Sequence, residues 1–382
     1  MIYFDNAATT RPIAELSKLA EEYQKDMWFN PSAMYPWAVA EENRVSECRR
    51  VLAGAINADP KCVIFNSCGT EGANTVILEG YKKQGNKKLH FITTTFEHPC
   101  VYNSFKKLEE QGHEVSYVSP RAEGHVFPED VAALVKENTA LVSVMHVNNE
   151  TGAVNDVCGI ASAVKEKNRE TLVHVDGVQG YVKCPLNFKD SEIDYYTASA
   201  HKLHALKGTG ALFYKKGAPI KPYIIGGGQE GALRSGTENT FGIYVFANAV
   251  SEYTDNRDEY IENMLNVRRV FLNGFKEIPG VRILSPEMDF APHILNVSIE
   301  AMRGEVLLHL LEKEGIAIST GSACSSKKKK QSRIHAHLKL SRELEEGVIR
   351  ISSCPYNTCE EAERTLLAIN SALKNYRRFI RR

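Results

Sequence analysis

The chain has 382 residues, which is long enough for two domains that each bury a substantial core. Its 47 basic and 47 acidic residues give a formal net charge of zero, which excludes a global electrostatic attraction to nucleic acid or to an anionic membrane. The nine cysteines are scattered without CxxC pairs or zinc-like spacing, as in proteins of a reducing compartment, so we expect no metal site.

The start of the chain, Met1–Asn6, lacks the basic and apolar stretches of a secretory signal, and no run approaches the ~20 apolar residues that span a bilayer. We therefore expect a cytoplasmic protein without membrane contact. The first clear element is a helix, in which apolar residues recur at near-helical spacing among charged neighbours: Val45, Cys48, Leu52 and Ile56. This spacing makes Cys48 a core residue.

Short apolar runs that are typical of β-strands follow, mostly separated by helical stretches. They are Val63–Phe65, Leu89–Ile92, Val115–Val118, Leu141–Val144, Leu172–Val175, Asp194–Ala198 and Ala211–Tyr214. This alternation predicts an α/β fold with a largely parallel sheet and right-handed crossovers.

The pattern changes near residue 250, where we predict a domain boundary. A long polar helical segment, Ser251–Lys276, comes first. An alternating run at Ile294–Ile299 then predicts a strand, and Val306–Glu312 predicts a helix. The C-terminal part therefore has a different organisation from the α/β part before it.

Two of the predicted strands end near residues that suit pyridoxal phosphate chemistry. Asp176 directly follows Leu172–Val175, and Lys202 lies 26 residues later, shortly after Asp194–Ala198. A lysine amine can hold the cofactor aldehyde as a Schiff base, and a buried carboxylate can keep the pyridine nitrogen protonated. Singly, such residues are more often a surface lysine and a turn aspartate. Ligands of open α/β sheets nevertheless collect at the carboxyl ends of strands, where both residues fall.

Three other side chains have both a functional and a structural interpretation. Thr70 lies between a strand and a helical stretch, where it suits either a phosphate at the helix N-terminus or an ordinary cap. His98 follows a strand and is, taken alone, most often a structural residue. Arg350 lies between Ile349 and Ile351, so a buried guanidinium there needs an anion, either a substrate carboxylate or a structural salt bridge.

A polar loop at about residues 319–335 contains Cys324 among small polar residues. Its length is near the ~12–15 residues at which unstructured loops are usually functional or disordered, and we predict that Cys324 is a nucleophile. At a pKa near 8.5 only about 3% of a thiol is ionised at pH 7, and lowering the pKa by one unit raises this to about 24%. Lys327–Lys330 could contribute to such a shift or steer an acidic partner, although charge runs are most often only a solvated face.

Nearly the whole chain resembles the cysteine desulfurases of the NifS/IscS type, within the class V aminotransferase branch of the fold-type I pyridoxal phosphate enzymes. The matching motifs extend from Tyr3–Thr10 to Val348–Ser352. Between them lie Gly69–Glu71, Glu97–His98, Met145–Glu150, Asp176 with Gln179, Ser199–Lys202, Gly226–Glu230, Arg234–Thr237 and Ser322–Cys324. The resemblance implies an aspartate aminotransferase-like fold with a mostly parallel, seven-stranded sheet in a large domain, residues 13–252. Residues 1–12 and 253–382 would form a smaller α+β domain.

The same resemblance assigns roles to the site residues. Those implied to hold the cofactor phosphate are Gly69, Thr70, Ser199, His201 and, from the other subunit of a homodimer, Thr237. Those implied to contact the rest of the cofactor are Lys202 and Asp176, with His98 stacked on the ring and also moving protons. Asn149 and Gln179 would bond the phenolic oxygen or the substrate, and Arg350 would bind the substrate carboxylate.

The implied reaction converts L-cysteine to L-alanine and leaves the sulfur on Cys324 as a persulfide. An acceptor protein would then receive it for iron–sulfur cluster assembly or tRNA thiolation, without direct nucleic acid binding by this chain. Cys324 could also act as a transient iron–sulfur ligand. The alternatives are a selenocysteine lyase, a class V aminotransferase with no need for Cys324, and a non-catalytic scaffold. Three features depart from the family pattern. They are Cys68, a second reactive thiol or simply filler, Ala200, where glycine is frequent, and the run Lys327–Lys330, which is not part of the usual motif.

Overall fold

The computed structural model describes residues 1–81, 87–121, 124–300, 302–320 and 340–380. Within them the predicted α/β fold with a mostly parallel, seven-stranded sheet is confirmed. After a short β1 (Ile2–Tyr3), its strands are β2 (Val63–Asn66), β3 (His90–Thr94), β4 (Glu114–Val118), β5 (Thr139–Met145), β6 (Leu172–Asp176), β7 (Tyr195–Ser199) and β8 (Gly210–Tyr214). Their order in space is β2-β8-β7-β6-β5-β3-β4. Strands β3 to β7 pair in parallel, whereas β8 is antiparallel to both of its neighbours.

Helices cover both faces of this sheet. They are α1 (Leu16–Asp26), α2 (Pro36–Gly54), α3 (Gly69–Glu79), α4 (Pro99–Glu110), α5 (Pro128–Ala132), α6 (Val157–Lys167) and α7 (Thr240–Asp255). Successive side chains of a strand point to opposite faces, so Tyr195 and Leu212 pack with α3 and α4, while Tyr196 and Phe213 pack with α2, α6 and α7. The result is a sheet between two helical layers.

The predicted helix around Cys48 is confirmed as α2, which packs against α7. Val45, Cys48 and Leu52 are buried on one face of this helix. Burial raises the pKa of the Cys48 thiol to about 12, so the group stays neutral in the core, as the spacing predicted.

The C-terminal part contains a second sheet of β9 (Val281–Ile283), β10 (Ile294–Ile299) and β12 (Val348–Ser352), antiparallel in the order β12-β10-β9. The predicted strand at Ile294–Ile299 is therefore confirmed. Strand β11 (Ile316–Ala317) pairs in parallel with β1, which brings the chain's start beside this sheet. The helices of this part are α8 (Arg257–Lys276), α9 (Gly304–Lys313), α10 (Arg342–Glu346) and α11 (Cys359–Ile380), and α9 contains the predicted helix at Val306–Glu312.

The prediction of one helical segment over Ser251–Lys276 is wrong in one respect, because α7 and α8 are separate helices. The break is at Asn256, whose φ of −113° and ψ of 17° are not helical. Its side-chain amide donates to the Glu252 backbone oxygen at 2.8 Å, and asparagine competes with helix formation through such local bonds.

The main apolar core and a second, C-terminal apolar cluster both extend to helix α8. Met264 belongs to the first, whereas Val267 and Phe271 belong to the second. The domain boundary near residue 252 stays a prediction. Among the residues that the structure describes, no helix is both long enough and apolar enough to cross a membrane.

Candidate active site

Neighbouring parallel strands bring several of the predicted residues to one edge of the large sheet. Asp176 is the last residue of β6, and Ser199 is the last residue of β7. In the register of these strands Asp176 pairs with Thr197, two residues before Ser199. On its other side Asp176 pairs with Met145, the last residue of β5. Three carboxyl ends therefore meet where open α/β sheets bind ligands.

The Asp176 carboxyl is 5% exposed and accepts a hydrogen bond from the Val178 backbone N–H at 3.0 Å. Burial raises its pKa, and the charges of His98 and Lys202 act in the opposite direction. A buried carboxyl of this kind is stabilised as the anion by a further cationic partner. The protonated nitrogen of a pyridine ring would supply one.

Two buried polar atoms at this edge have no hydrogen-bond partner among the described residues, Ser199 Oγ and Gln179 Oε1. Ser199 is 3% exposed and Gln179 is 4% exposed. The Gln179 amide is held by its other atom, since Nε2 donates to the Ala7 backbone oxygen at 2.9 Å. Because buried polar atoms are nearly always hydrogen-bonded, both indicate a polar ligand at this edge.

The first turn of α3 lies against the same edge. A Cβ atom on Gly69 would be 2.5 Å from Val178 Cγ2, so the close approach of the helix to the loop after β6 requires glycine. Cys68, which precedes the helix, contributes no side-chain cap. Helix N-termini with uncapped amides attract anions, and the exposed Thr70 lies in this turn. The turn and Ser199 Oγ together fit a phosphate group.

Lys202 lies in the turn that follows β7, under the N-terminal segment Asp5–Thr10. Its Nζ donates to the backbone oxygens of Ala7 at 2.7 Å and Ala8 at 2.6 Å. Sequence patterns assigned no role to this segment, because its contacts with Lys202 span about 195 residues of chain. The segment therefore holds the Lys202 amine only in the folded protein.

His201 precedes Lys202 and is held by the same segment. Its Nδ1 lies 3.2 Å from Thr9 Oγ1. Burial, together with the positive charges of nearby lysines, lowers the pKa of His201 to about 4. The imidazole is therefore neutral near pH 7, and the N–H of a neutral imidazole can donate to a phosphate.

His98 is the N-cap residue of α4 and contacts a residue that the sequence interpretation missed, Cys100. The His98 Nδ1 atom lies 2.9 Å from Cys100 Sγ and 3.3 Å from the Cys100 backbone nitrogen. Cys100 also interacts with Thr70 and with Asp176. In the sequence nothing marks Cys100 except its position two residues after His98.

Arg350 lies in the middle of β12 and is 5% exposed. Its Nη2 donates to Asp5 Oδ1 at 2.8 Å, and its Nη1 donates to the Asn149 backbone oxygen at 2.8 Å. The Nε donor has no partner in the described part of the chain. The salt bridge that the sequence allowed is therefore present, and one donor is left for a further acceptor.

The loop that carries Cys324 begins beside Arg350. The Ser319 backbone exchanges two hydrogen bonds with that of Arg350, at 3.1 and 2.7 Å. Cys324 itself and Lys327–Lys330 lie outside the described residues. Thr237 is exposed on the loop before α7, and the described contacts of this single chain do not join it to the group around Ser199.

A buried lysine, Lys183, was also not predicted. It is 7% exposed, and burial together with the charge of Lys202 lowers the pKa of its amine to about 7. In the sequence, no local pattern distinguishes a lysine that becomes buried from an ordinary surface lysine. Only the fold distinguishes Lys183 from them.

Comparisons with known proteins agree with this geometry. The model of the family described as Aminotransferase class-V matches residues 2–365. A cysteine desulfurase of Trichormus azollae is 37% identical over 367 residues, which are 96% of this chain and 91% of that protein.

Solved structures show the same likeness. The structure of a NifS-like protein has a TM-score of 0.92 and 35% identity, and the match covers 98% of this chain and 99% of that one. The structure of SspA in complex with cysteine has a TM-score of 0.78 and 27% identity, over 94% and 100% of the two chains. Proteins of this family depend on pyridoxal phosphate, and the chain belongs to the class-V aminotransferase family.

Proposed function

We propose that this chain is a pyridoxal-phosphate-dependent cysteine desulfurase, which converts L-cysteine to L-alanine and transfers the sulfur to Cys324. The observation that carries the proposal is the meeting of Asp176, Ser199 and Lys202 at one sheet edge. The cysteine desulfurases among the relatives and the cysteine complex of SspA support the choice of substrate.

The residues at the sheet edge would hold the cofactor, which supplies an electron sink for negative charge at the substrate Cα. Those that would bind its phosphate are Gly69, Thr70, Ser199 and His201, with Thr237 of a second subunit. Asp176 would hold the ring nitrogen, Lys202 would bind the cofactor covalently at rest, and Gln179 and Asn149 would bond the phenolic oxygen or the substrate. The orphaned Ser199 Oγ and Gln179 Oε1 support this arrangement.

His98 and Lys202 are the groups at this site that would hold or move a proton. Both lie close enough to Asp176 to affect its pKa. The contacts of Lys202 Nζ with the backbone oxygens of Ala7 and Ala8 hold the amine in one orientation. Such positioning accounts for much of the effect of a general acid or base.

The sulfur transfer needs no external oxidant. The Cβ–S bond of L-cysteine breaks, a sulfur–sulfur bond forms with the Cys324 thiolate, and Cβ takes a proton to give L-alanine. The two electrons that reduce Cβ come from the two sulfur atoms, which are oxidised as the sulfur–sulfur bond forms. The Ser319 backbone is hydrogen-bonded to that of Arg350. Cys324 comes five residues after Ser319, so the chain between Ser319 and Cys324 can extend over at most ~18 Å. This reach supports Cys324 as the nucleophile.

Arg350 would bind the substrate carboxylate through its Nε donor, which lacks a partner among the described residues. We expect Arg350→Lys to raise the KM for L-cysteine by about 10- to 100-fold, because a charge-assisted hydrogen bond contributes roughly 1.5–3 kcal/mol. The effect on kcat is expected to be smaller. Steady-state kinetics over a range of L-cysteine concentrations measure both constants.

A purely structural Arg350 would behave differently. Asp5→Asn removes the ion-pair partner and leaves the guanidinium in place, so it is the matched control. We expect this variant to lower the melting temperature and to change the KM for L-cysteine much less than Arg350→Lys does. Equal melting temperature losses in both variants, with KM unchanged in Arg350→Lys, would assign Arg350 to the salt bridge alone.

The test of the proposed activity is the incubation of the holoenzyme with L-cysteine and a thiol reductant. L-Alanine and sulfide are expected in equal amounts, measured by amino acid analysis and by methylene blue formation. A 3-mercaptopyruvate product, with the substrate's amino group left on the cofactor, would instead identify an aminotransferase. A protein that turns over L-selenocysteine but not L-cysteine would be a selenocysteine lyase, and one that binds no cofactor would be a scaffold.

We also propose a cytoplasmic homodimer that delivers sulfur to an acceptor protein for iron–sulfur cluster assembly or tRNA thiolation. Several large apolar side chains are exposed in two segments of the surface, and contiguous apolar surface is typical of interfaces. They are Trp28, Met34, Trp37 and Ile225. Light scattering during size-exclusion chromatography should give twice the mass of the chain, and the mass of a single chain would refute the dimer.

A further inference from the structure

The side chain of Cys100 contacts the groups that our proposed function uses, but no role in the reaction has been assigned to it. It follows His98 at the start of α4, and its Sγ lies 2.9 Å from the His98 Nδ1 atom. It also interacts with Thr70, in the first turn of α3, and with Asp176, at the end of β6. Cys100 therefore lies where three elements of the site meet.

The geometry determines which atom of the pair carries a proton. The Cys100 backbone N–H can only donate, and it donates to His98 Nδ1 at 3.3 Å. This nitrogen must therefore be an acceptor, which leaves the proton of a neutral imidazole on Nε2. Burial raises the pKa of the Cys100 thiol, so the sulfur keeps its proton and can donate it to the same nitrogen.

We propose that Cys100 is a positioning residue for His98: its thiol donates to Nδ1, orients the ring and keeps the exchangeable proton on Nε2. This inference rests on the proposed function, because it assigns His98 a proton-moving role. The second proton of an imidazolium would have to enter at Nδ1, where the thiol and the amide of Cys100 already donate. Cys100 therefore favours the neutral ring.

The other ionisable groups around this pair belong to different elements. Asp176 of β6 interacts with both His98 and Cys100, Lys202 lies near Asp176, and Glu97 precedes His98 in the chain. All three are retained when Cys100 is replaced. A difference between Cys100 variants therefore reports the thiol and not these charges.

The first test is the infrared S–H stretch of the holoenzyme, a readout that does not depend on turnover. The difference spectrum between the unmodified protein and Cys100→Ala isolates the Cys100 band among the nine cysteines. We expect a band at lower frequency than that of an S–H group without an acceptor, and a shift to higher frequency in His98→Leu, which has no side-chain acceptor. A band that is unchanged in His98→Leu would overturn the proposal.

The second test is the pH dependence of kcat/KM, which reports groups of the free enzyme. Removing one donor from Nδ1 makes His98 easier to protonate, so Cys100→Ala should move the acidic limb of the profile to higher pH. The expected shift is roughly 0.5 to 1 pH unit, which corresponds to the free energy of one hydrogen bond. Cys100→Ser keeps a donor, so its acidic limb should lie where it does in the unmodified protein. Cys62→Ala, a buried cysteine before β2, should leave it unchanged.

The serine variant separates positioning from a general loss of packing. If Cys100→Ser and Cys100→Ala shift the limb equally, the thiol acts only by filling space and the proposal fails. If the infrared test supports the hydrogen bond but the unmodified protein forms no L-alanine, the proposed function is wrong. The hydrogen bond from Cys100 to His98 would still be supported.

Discussion

Replacement of Cys324 by alanine is expected to lower the rate of L-alanine formation from L-cysteine by about 10³-fold or more. The nucleophile that accepts the sulfur is then missing, and loss of a nucleophile typically removes most of an enzyme's rate enhancement. Binding of the cofactor should not change, because the cofactor-binding residues proposed above do not include Cys324. The measurement is a single-turnover and steady-state assay of L-alanine, with the cofactor absorbance recorded on the same sample.

The matched control is Cys62→Ala, which removes a different cysteine whose side chain is 5% exposed before β2. It should form L-alanine at the unmodified rate. Mass spectrometry of the unmodified protein, treated with L-cysteine without reductant, should find one additional sulfur atom on the Cys324 peptide. Equal rates of L-alanine formation in Cys324→Ala and Cys62→Ala would show that sulfur leaves without Cys324, as in a lyase.

The second large effect is expected for Lys202→Ala, which should lower the rate by about 10²- to 10⁴-fold or more. The variant loses both the covalent attachment of the cofactor and a group that can move a proton near Asp176. Its cofactor should become removable by dialysis, and the absorbance of the bound cofactor should change. Both are measured by spectrophotometry before and after dialysis.

Lys183 is the matched control for this prediction, because it is a buried lysine near the half-buried Lys202. Burial lowers the pKa of its amine to about 7, so a substantial fraction is unprotonated and chemically nucleophilic at neutral pH. After borohydride reduction of the holoenzyme, peptide mapping should find the cofactor on Lys202. Cofactor on Lys183 would contradict the assignment, whatever the activity of the variants.

Much of the fold could be predicted from local patterns. The seven strands of the large sheet each coincide with a short apolar run, because strands buried on both faces need apolar residues at nearly every position. The helix around Cys48 followed from spacing in the same way. The break at Asn256 could not be predicted, since the residues on both sides have helical character and the bond from the Asn256 side chain to Glu252 is visible only in the structure.

The candidate site was predictable only in part. Asp176 and Lys202 could be recognised because each follows a strand, Arg350 because it lies between two apolar residues, and the resemblance to a known family added roles for Ser199 and His201. The neighbours of these residues could not be predicted. The structure reveals the contact of Cys100 with His98 and its interactions with Thr70 and Asp176.

Local patterns were sufficient for the α/β class, the order of the strands along the chain and the chemical types at their ends, because these depend on residues that are close together in the chain. The folded chain alone shows that Ala7 and Ala8 hold the Lys202 amine and that Asp5 pairs with Arg350, 345 residues away. Such contacts form between segments whose proximity depends on the packing of the whole chain. No local pattern of hydrophobicity or spacing contains that information.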